Sequence, residues 1–262
     1  MTDPLRARLE TGDVTLGVLD NTYTPAVVEL CGELGLDFVW IDLEHGGPSP
    51  WDATALEHLA RAAERGGTEL LVRIPTGEPA LVRKVLDTGV RNVFVSRVEG
   101  ATEVRRAVRA SRFTVGDEPG ERGLASPRAR RWGQREGYVG RADAEAMVGV
   151  TIENRAAVDD IEAILDVPEL GFVFVGPLDL SVSVGHPGEL THPDVVAAVD
   201  RVLEAARAAG VPVGGLGFGM DDVNAKAEAG YQMLNLGSTT GALTSAVEAW
   251  LAGYEGPGRG EN

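Results

Sequence analysis

The sequence predicts an α/β fold of the (β/α)8 barrel type, and three observations carry that prediction. Short apolar runs recur along the chain without the polar alternation of half-exposed strands, so they read as strands buried on both faces. A segment with helical spacing follows each run, and eight such units fit 262 residues as one domain. The turn after the first run, Leu19-Asp20-Asn21-Thr22, has no glycine fingerprint for phosphate, which disfavours a doubly wound sheet.

The first strand is predicted over 14–19, and a helix over 24–31 follows with Thr24 as cap and Pro25 in its first turn. The second strand starts at Phe38-Val39-Trp40-Ile41 and runs into Asp42-Leu43-Glu44-His45, where Gly46-Gly47-Pro48 breaks it. Ser49-Pro50-Trp51-Asp52 opens a helix to about Arg65, with Leu56, Leu59 and Ala63 on one face. The third strand, 69–74, precedes a helix over 78–87 that Gly89 stops; the fourth, 92–96, precedes a helix over 102–110. The fifth strand covers 147–152 with a helix over 156–165, and the sixth covers 172–175. A long helix over 193–209 ends at Gly210; then come a strand over 211–216 and a helix over 221–229 stopped by Gly230. The eighth strand, 233–236, leads to a final helix over 239–251.

Residues 113–143 resist this pattern, with six glycines and little apolar periodicity, and are predicted to be a long loop under the barrel or against a neighbouring subunit. The domain is taken as 1–255, with 256–262 as a disordered tail.

Composition narrows the partners. The formal net charge is −16, and of 24 basic residues only Lys84 and Lys226 are lysines. Acid excess with almost no lysine predicts adaptation to high salt, where self-repulsion is screened, the alternative being an ordinary acidic protein whose GC-rich genome replaces Lys by Arg. It argues against nucleic acid or an anionic membrane as partner, because phosphate binding needs a basic face. Cys31 is the only cysteine, so no internal disulfide forms and a reducing cytoplasm is expected. The start lacks an apolar signal segment, and no apolar run approaches the ~18 residues of a membrane span.

A barrel carries its chemistry at the carboxyl ends of its strands. There the second strand places Asp42, Glu44 and His45, the third Arg73, the fifth Glu153-Asn154, and the sixth Gly176-Pro177-Leu178-Asp179-Leu180-Ser181. Glu153 and Asp179 form a pair of hard carboxylates suited to Mg²⁺ or Mn²⁺, with Co²⁺ as an alternative. Zinc is disfavoured, since His58, His186 and His192 show no ligand spacing in the chain. The Gly176–Asp179 turn is expected to aim backbone N–H groups at a small carboxylate, and Arg73 to meet the same anion or an enolate. His45 is the proton-transfer candidate, with Asp42 or Glu44 to orient it. Neither Lys84 nor Lys226 leaves a helix, so a Schiff-base mechanism is not expected, and no organic cofactor is called for.

These segments together resemble the HpcH/HpaI family of metal-dependent, class II pyruvate aldolases. The resemblance rests on Asp42-Leu43-Glu44-His45-Gly46, Val72-Arg73-Ile74-Pro75, Val85-Leu86-Asp87-Thr88-Gly89, Arg122-Gly123, Ile152-Glu153 and Val175-Gly176-Pro177-Leu178-Asp179-Leu180-Ser181, in order from about Leu5 to Leu251. It implies that Glu153 and Asp179 bind the divalent metal and that His45, paired with Asp42, is the acid/base. It implies that Arg73 contacts pyruvate and its enolate, and that backbone N–H groups of Leu178 and Asp179 hold the carboxylate beside Gly176 and Pro177. Leu216 falls at the substrate-binding end of the seventh strand, and Asp87 matches an aspartate that reaches a neighbouring subunit's site. The resemblance further implies a last helix swapped between subunits in a hexamer built as a trimer of dimers. Glu44 takes no assigned role.

The chain departs from the family pattern at Thr151, at Val95-Ser96, at 115–123 and at Gly214-Gly215, all near the pocket wall or the loop. The expected activity is reversible cleavage of a 4-hydroxy-2-oxo acid, a 2-keto-3-deoxy sugar acid by preference, to pyruvate and an aldehyde. The rivals are an acyl-CoA lyase of the citrate lyase β-subunit or malyl-CoA lyase type and a non-catalytic barrel that binds a sugar acid.

Overall fold

A computed structural model describes residues 4–254. Eight parallel strands close into a barrel: β1 (Thr15–Leu19), β2 (Phe38–Asp42), β3 (Glu69–Ile74), β4 (Asn92–Val95), then, after a two-residue hairpin of β5 (Thr114–Val115) and β6 (Glu118–Pro119), β7 (Met147–Ile152), β8 (Leu170–Val175), β9 (Val213–Leu216) and β10 (Met233–Ser238). Each barrel strand pairs with its neighbours in sequence order, and β10 returns to β1 to close the ring. The predicted tail over 256–262 lies outside the described residues.

The continuous apolar runs face two cores, as burial on both sides requires. Val39, Ile41, Val173 and Val175 point outward to the helices, while Phe38, Trp40, Phe172 and Phe174, two residues apart on their strands, fill the barrel with Leu71, Phe94, Met147 and Met233. Trp40 meets Phe94 and Phe174 edge-on, each with ring centroids 5.3 Å apart. Strand glycines make room for these rings: a Cβ at Gly17, Gly149 or Gly214 would lie 2.3, 2.3 or 2.4 Å from Phe38, Phe172 or Phe174. That close approach explains Gly214 in β9, and Gly215 likewise lies under the Tyr231 ring.

The helices pack outside: α2 (Pro25–Glu33), α3 (Ala53–Gly66), α4 (Pro79–Asp87), α5 (Ala101–Ser111), α7 (Arg155–Asp159), α8 (Ile161–Leu165), α9 (Pro177–Ser183), α10 (Pro193–Ala209), α11 (Met220–Glu228) and α12 (Thr239–Ala252). The single helix expected over 156–165 is broken at Asp160, whose carboxylate accepts from Ala101 N–H at 2.8 Å. A helix that periodicity does not reveal, α1 (Leu5–Glu10), plugs the lower end with Leu5 and Leu9. Six residues are too few to show a helical period.

The segment over 113–143 is not a structureless loop, which corrects the sequence reading. It holds the β5–β6 hairpin, a 3₁₀ turn (Arg128–Gly133) and α6 (Tyr138–Glu145). Polar ties order it in place of an apolar stripe. Arg122 donates to Tyr138 Oη at 2.9 Å, and Arg128 donates to Thr88 O at 2.8 Å and to Glu64 at 2.7 Å. Thr88 and Glu64 stand at the lower ends of α4 and α3, so the segment runs beneath the barrel as expected, away from the carboxyl edge.

Candidate active site

The stretch after β2 is the hub of the mouth. Asp42 ends the strand with both carboxylate oxygens on Arg73: Nε donates to Oδ1 at 2.8 Å and Nη2 to Oδ2 at 2.6 Å. β2 and β3 pair with Asp42 opposite Arg73, so strand register sets this fork-on-carboxylate geometry. Burial alone would raise the Asp42 pKa, but the Arg73 guanidinium outweighs it and holds the carboxyl below the ordinary range. Arg73 also lies over the Trp40 ring, 5.0 Å from its centroid, which joins the mouth to the aromatic barrel core.

This pairing corrects the role expected for Asp42. Its oxygens are committed to Arg73, and Oδ1 also accepts Glu44 N–H at 3.0 Å, so Asp42 does not orient His45. Glu44 is the closer partner, with His45 Nε2 3.6 Å from Glu44 Oε2. The Glu44 side chain is 9 % exposed, against 59 % for His45. Arg73 Nη1 lies 3.1 Å from Glu44 Oε2 but out of hydrogen-bonding line, so the contact is between charges and that oxygen lacks a donor. Glu44, one of the two residues the strand end offers to orient His45, thus stands between the guanidinium and the imidazole. The strand period of two already puts Glu44 on the face of Asp42, and the bend after Asp42 seats it beside Arg73 and His45.

Across the mouth, Glu153 follows β7 and is buried. Its Oε1 accepts Arg97 N–H at 2.6 Å. Burial, with Glu44 and Asp179 as negative neighbours, pushes its pKa up to about 7 despite that donor and Arg73. Asp179, in the first turn of α9, is half-exposed, with the Arg97 guanidinium 3.8 Å away. Gly176 is required beside them, because a Cβ there would sit 2.9 Å from Glu153. Pro177 starts α9 and leaves the first-turn N–H groups of Leu178 and Asp179 without helical acceptors. Leu216 closes the mouth at the end of β9, half-buried against the aromatic core.

Glu153 and Asp179 fit a divalent ion. The donors are oxygens, as hard cations require, and a buried carboxyl whose pKa is raised by neighbouring carboxylates is one that a cation would relieve. Arg97, absent from the sequence reading, is held at φ +54 at the end of β4, where its backbone serves Glu153 and its side chain Asp179. Asp20 is a second residue not foreseen. It is buried at the end of β1, with Oδ1 accepting from Thr22 and from Thr239 Oγ1 at 2.9 Å, while Oδ2 has no donor. Like Asp42, it is an acid that ends an apolar run, and that signal could have marked it.

Asp87 does not join this mouth. It closes α4 at the lower end of the barrel, beside Arg122, where burial raises its pKa against the pull of Arg122, Lys84 and Arg83. His58 is exposed on α3, away from the other histidines. His186 and His192, which lack ligand spacing in the chain, meet in space with ring centroids 3.3 Å apart, which corrects that reading. Spacing rules describe helices and strands, whereas these two rings are brought together by a loop.

Comparisons with known proteins agree with this architecture. The family model for HpcH/HpaI aldolase/citrate lyase matches residues 17–246. The chain is 37 % identical over 239 residues to a hydroxypyruvate/pyruvate aldolase of Paraburkholderia phytofirmans, covering 90 % of this chain and 91 % of that one. It is 30 % identical over 255 residues to a 2-keto-3-deoxy-L-rhamnonate aldolase of Escherichia coli O157:H7, covering 97 % and 94 %. A crystal structure of an HpcH/HpaI aldolase/citrate lyase family protein from Burkholderia cenocepacia J2315 superposes with a TM-score of 0.89 at 32 % identity, over 95 % of this chain and 97 % of that one.

Proposed function

Because the chain belongs to the HpcH/HpaI aldolase/citrate lyase family, we propose that its mouth is the site of a divalent-metal-dependent aldolase reaction. The enzyme is a carbon–carbon lyase of the class II pyruvate aldolase type. The substrate we assign is a 4-hydroxy-2-oxo acid, of the 2-keto-3-deoxy sugar acid class, cleaved reversibly to pyruvate and an aldehyde. The convergence of Asp42, Glu44, His45, Arg73, Glu153 and Asp179 at one end of the barrel carries this reading.

Glu153 and Asp179 would hold Mg²⁺ or Mn²⁺, which when bound supplies Lewis-acid polarisation of the 2-oxo group. The free N–H groups of Leu178 and Asp179 receive the substrate carboxylate. Arg73, fixed by Asp42 on two nitrogens, keeps Nη1 for the oxygen on which negative charge grows. His45 takes the proton of the C4 hydroxyl, and Glu44 at 3.6 Å stabilises the imidazolium that results. The C3–C4 bond breaks, its electron pair becomes the enolate of pyruvate, and C4 leaves as the aldehyde carbonyl. In the condensation direction His45 returns the proton to the new alkoxide.

A panel of 2-oxo acids assayed for pyruvate release with Mg²⁺ or Mn²⁺, at low and high KCl, tests this function. Sugar acids are expected to outperform diacids, and His45→Ala is expected to cut turnover by roughly 10²–10⁴-fold. Metal-independent turnover, or full activity in His45→Ala, would overturn the mechanism.

A cytoplasmic setting fits the lone Cys31, and no helix of the described residues is long and apolar enough to cross a membrane. A homo-oligomer is supported by α12, none of whose residues is buried; Leu243 and Trp250 are 60 % and 72 % exposed. A second copy covering α12 would hide that face, and the hexamer would bring Asp87 to a neighbour's site. Light scattering should therefore give a multiple of 27.6 kDa; a monomer at micromolar concentration contradicts it.

A further inference from the structure

On the rim of the mouth, apart from every residue assigned to the aldol chemistry, His186, His192 and Asp194 each bring one donor atom within 4.8 Å of the other two. We propose that these three side chains form a second metal site, one that takes a borderline divalent transition ion such as Zn²⁺ and not the hard ion of the mouth.

The chain is built to assemble this cluster. After α9 it turns back through Gly185 (φ +94) and Gly188 (φ +79), conformations that side-chain-bearing residues rarely adopt. Ser181, fully buried, staples the turn: it accepts His186 N–H at its carbonyl (2.7 Å) and Gly188 N–H at Oγ (2.9 Å), and its hydroxyl donates to Leu178 O (2.6 Å). His192 caps α10, with Nδ1 accepting Asp194 N–H at 3.2 Å. The two imidazoles stack with planes 16° apart.

The distances suit a tetrahedral ion. Asp194 Oδ2 lies 3.2 Å from His186 Nε2 and 3.9 Å from His192 Nδ1. Metal–nitrogen bonds of ~2.0–2.1 Å in a tetrahedron separate the ligands by about 3.3 Å, so to bind an ion the rings leave their stack and His192 either releases its cap bond at Nδ1 or turns Nε2 to the metal. The imidazole side chains, 27 % and 29 % exposed, have room to turn their in-plane lone pairs toward one ion, and solvent can supply the fourth ligand. Two imidazoles and one carboxylate are the donors of a zinc-type site, whereas Glu153 and Asp179 offer oxygens alone. A helix cap holds His192 and a 3.2 Å hydrogen bond to Asp194 Oδ2 holds His186, so both rings already converge on the one carboxylate that an ion would share. Through Ser181 the site is joined to the α9 turn that carries Leu178 and Asp179, so an ion here would fasten that turn.

The test uses the full chain carrying Glu153→Gln, which removes a mouth ligand, loaded with Cu²⁺ as a spin probe under excess Mg²⁺. One copper per chain is expected, with an electron paramagnetic resonance spectrum showing two coordinated nitrogens. The two-nitrogen signature should disappear on adding His186→Ala, and separately on adding His192→Asn, which keeps a capping side chain for α10. Zn²⁺ should raise Tm in the Glu153→Gln protein and not in either double variant. Copper with one nitrogen or none, or a two-nitrogen spectrum that survives His186→Ala, overturns the proposal.

Discussion

Glu153→Gln is expected to lose turnover and, in the presence of a chelator, to be more stable than the wild type at pH 8. The two effects share one cause. Burial and the carboxylates of Glu44 and Asp179 raise the Glu153 pKa from 4.5 to about 7 in the folded protein. A carboxyl whose folded pKa lies above its unfolded value stabilises the fold fully below the unfolded value, and that contribution is lost as pH rises through the folded one. At pH 8 the folded wild type therefore bears a cost of about 3 kcal/mol, from ~1.36 kcal/mol for each unit. Glutamine removes the charge, and its carbonyl can still accept Arg97 N–H. Tm at pH 8 should rise by about 5–10 °C, with little change at pH 4.5. Turnover should fall more than roughly 100-fold even at saturating Mn²⁺, since losing an outer-shell partner alone costs up to that factor. Equal stability of the two proteins at pH 8 would mean that Glu153 is not charged against its neighbours.

Arg73→Ala is expected to be the most damaging single change at the mouth. It leaves Asp42 and Glu44, both with side chains 9 % exposed, as buried carboxylates without a counter-charge. Removing one member of a buried pair costs about 3–5 kcal/mol, mostly from the charge left behind. Arg73→Lys tests the geometry instead: it keeps the charge but cannot reproduce the fork of Nε and Nη2 on Asp42. That variant should regain most of the stability and little of the catalysis, with a lower kcat/KM for every 2-oxo acid in the panel. Urea melts of the two variants separate these effects; wild-type kcat/KM in Arg73→Lys would remove Arg73 from the chemistry. Asp42→Asn in the Arg73→Ala background should restore part of the lost stability, because it removes one uncompensated charge.

Much of the mouth was legible because barrel topology maps strand ends in the chain onto one end of the molecule. Asp42, Arg73, Glu153 and Asp179 needed only strand boundaries to be placed there. For Glu44 the period of two made the face legible, but its place between Arg73 and His45 depends on how the backbone leaves β2. Arg97 and Asp20 were missed for a related reason: one acts partly through its backbone N–H, and the other ends a run whose turn was read only for phosphate binding. The segment over 113–143 hid its order because guanidinium contacts, not an apolar stripe, hold it.

The amino-acid sequence alone determined the barrel, the order of its strands, the family resemblance and most of the ionisable residues at the mouth. Those follow from apolar period and strand ends, which are local properties of the chain. Tertiary structure alone decided which ionisable group faces which: Arg73 on Asp42 and beside Glu44, and Glu153 among other carboxylates. The physical reason is that charge pairing and desolvation act over a few ångströms of space, and residues tens of positions apart become neighbours only when the ring of strands closes.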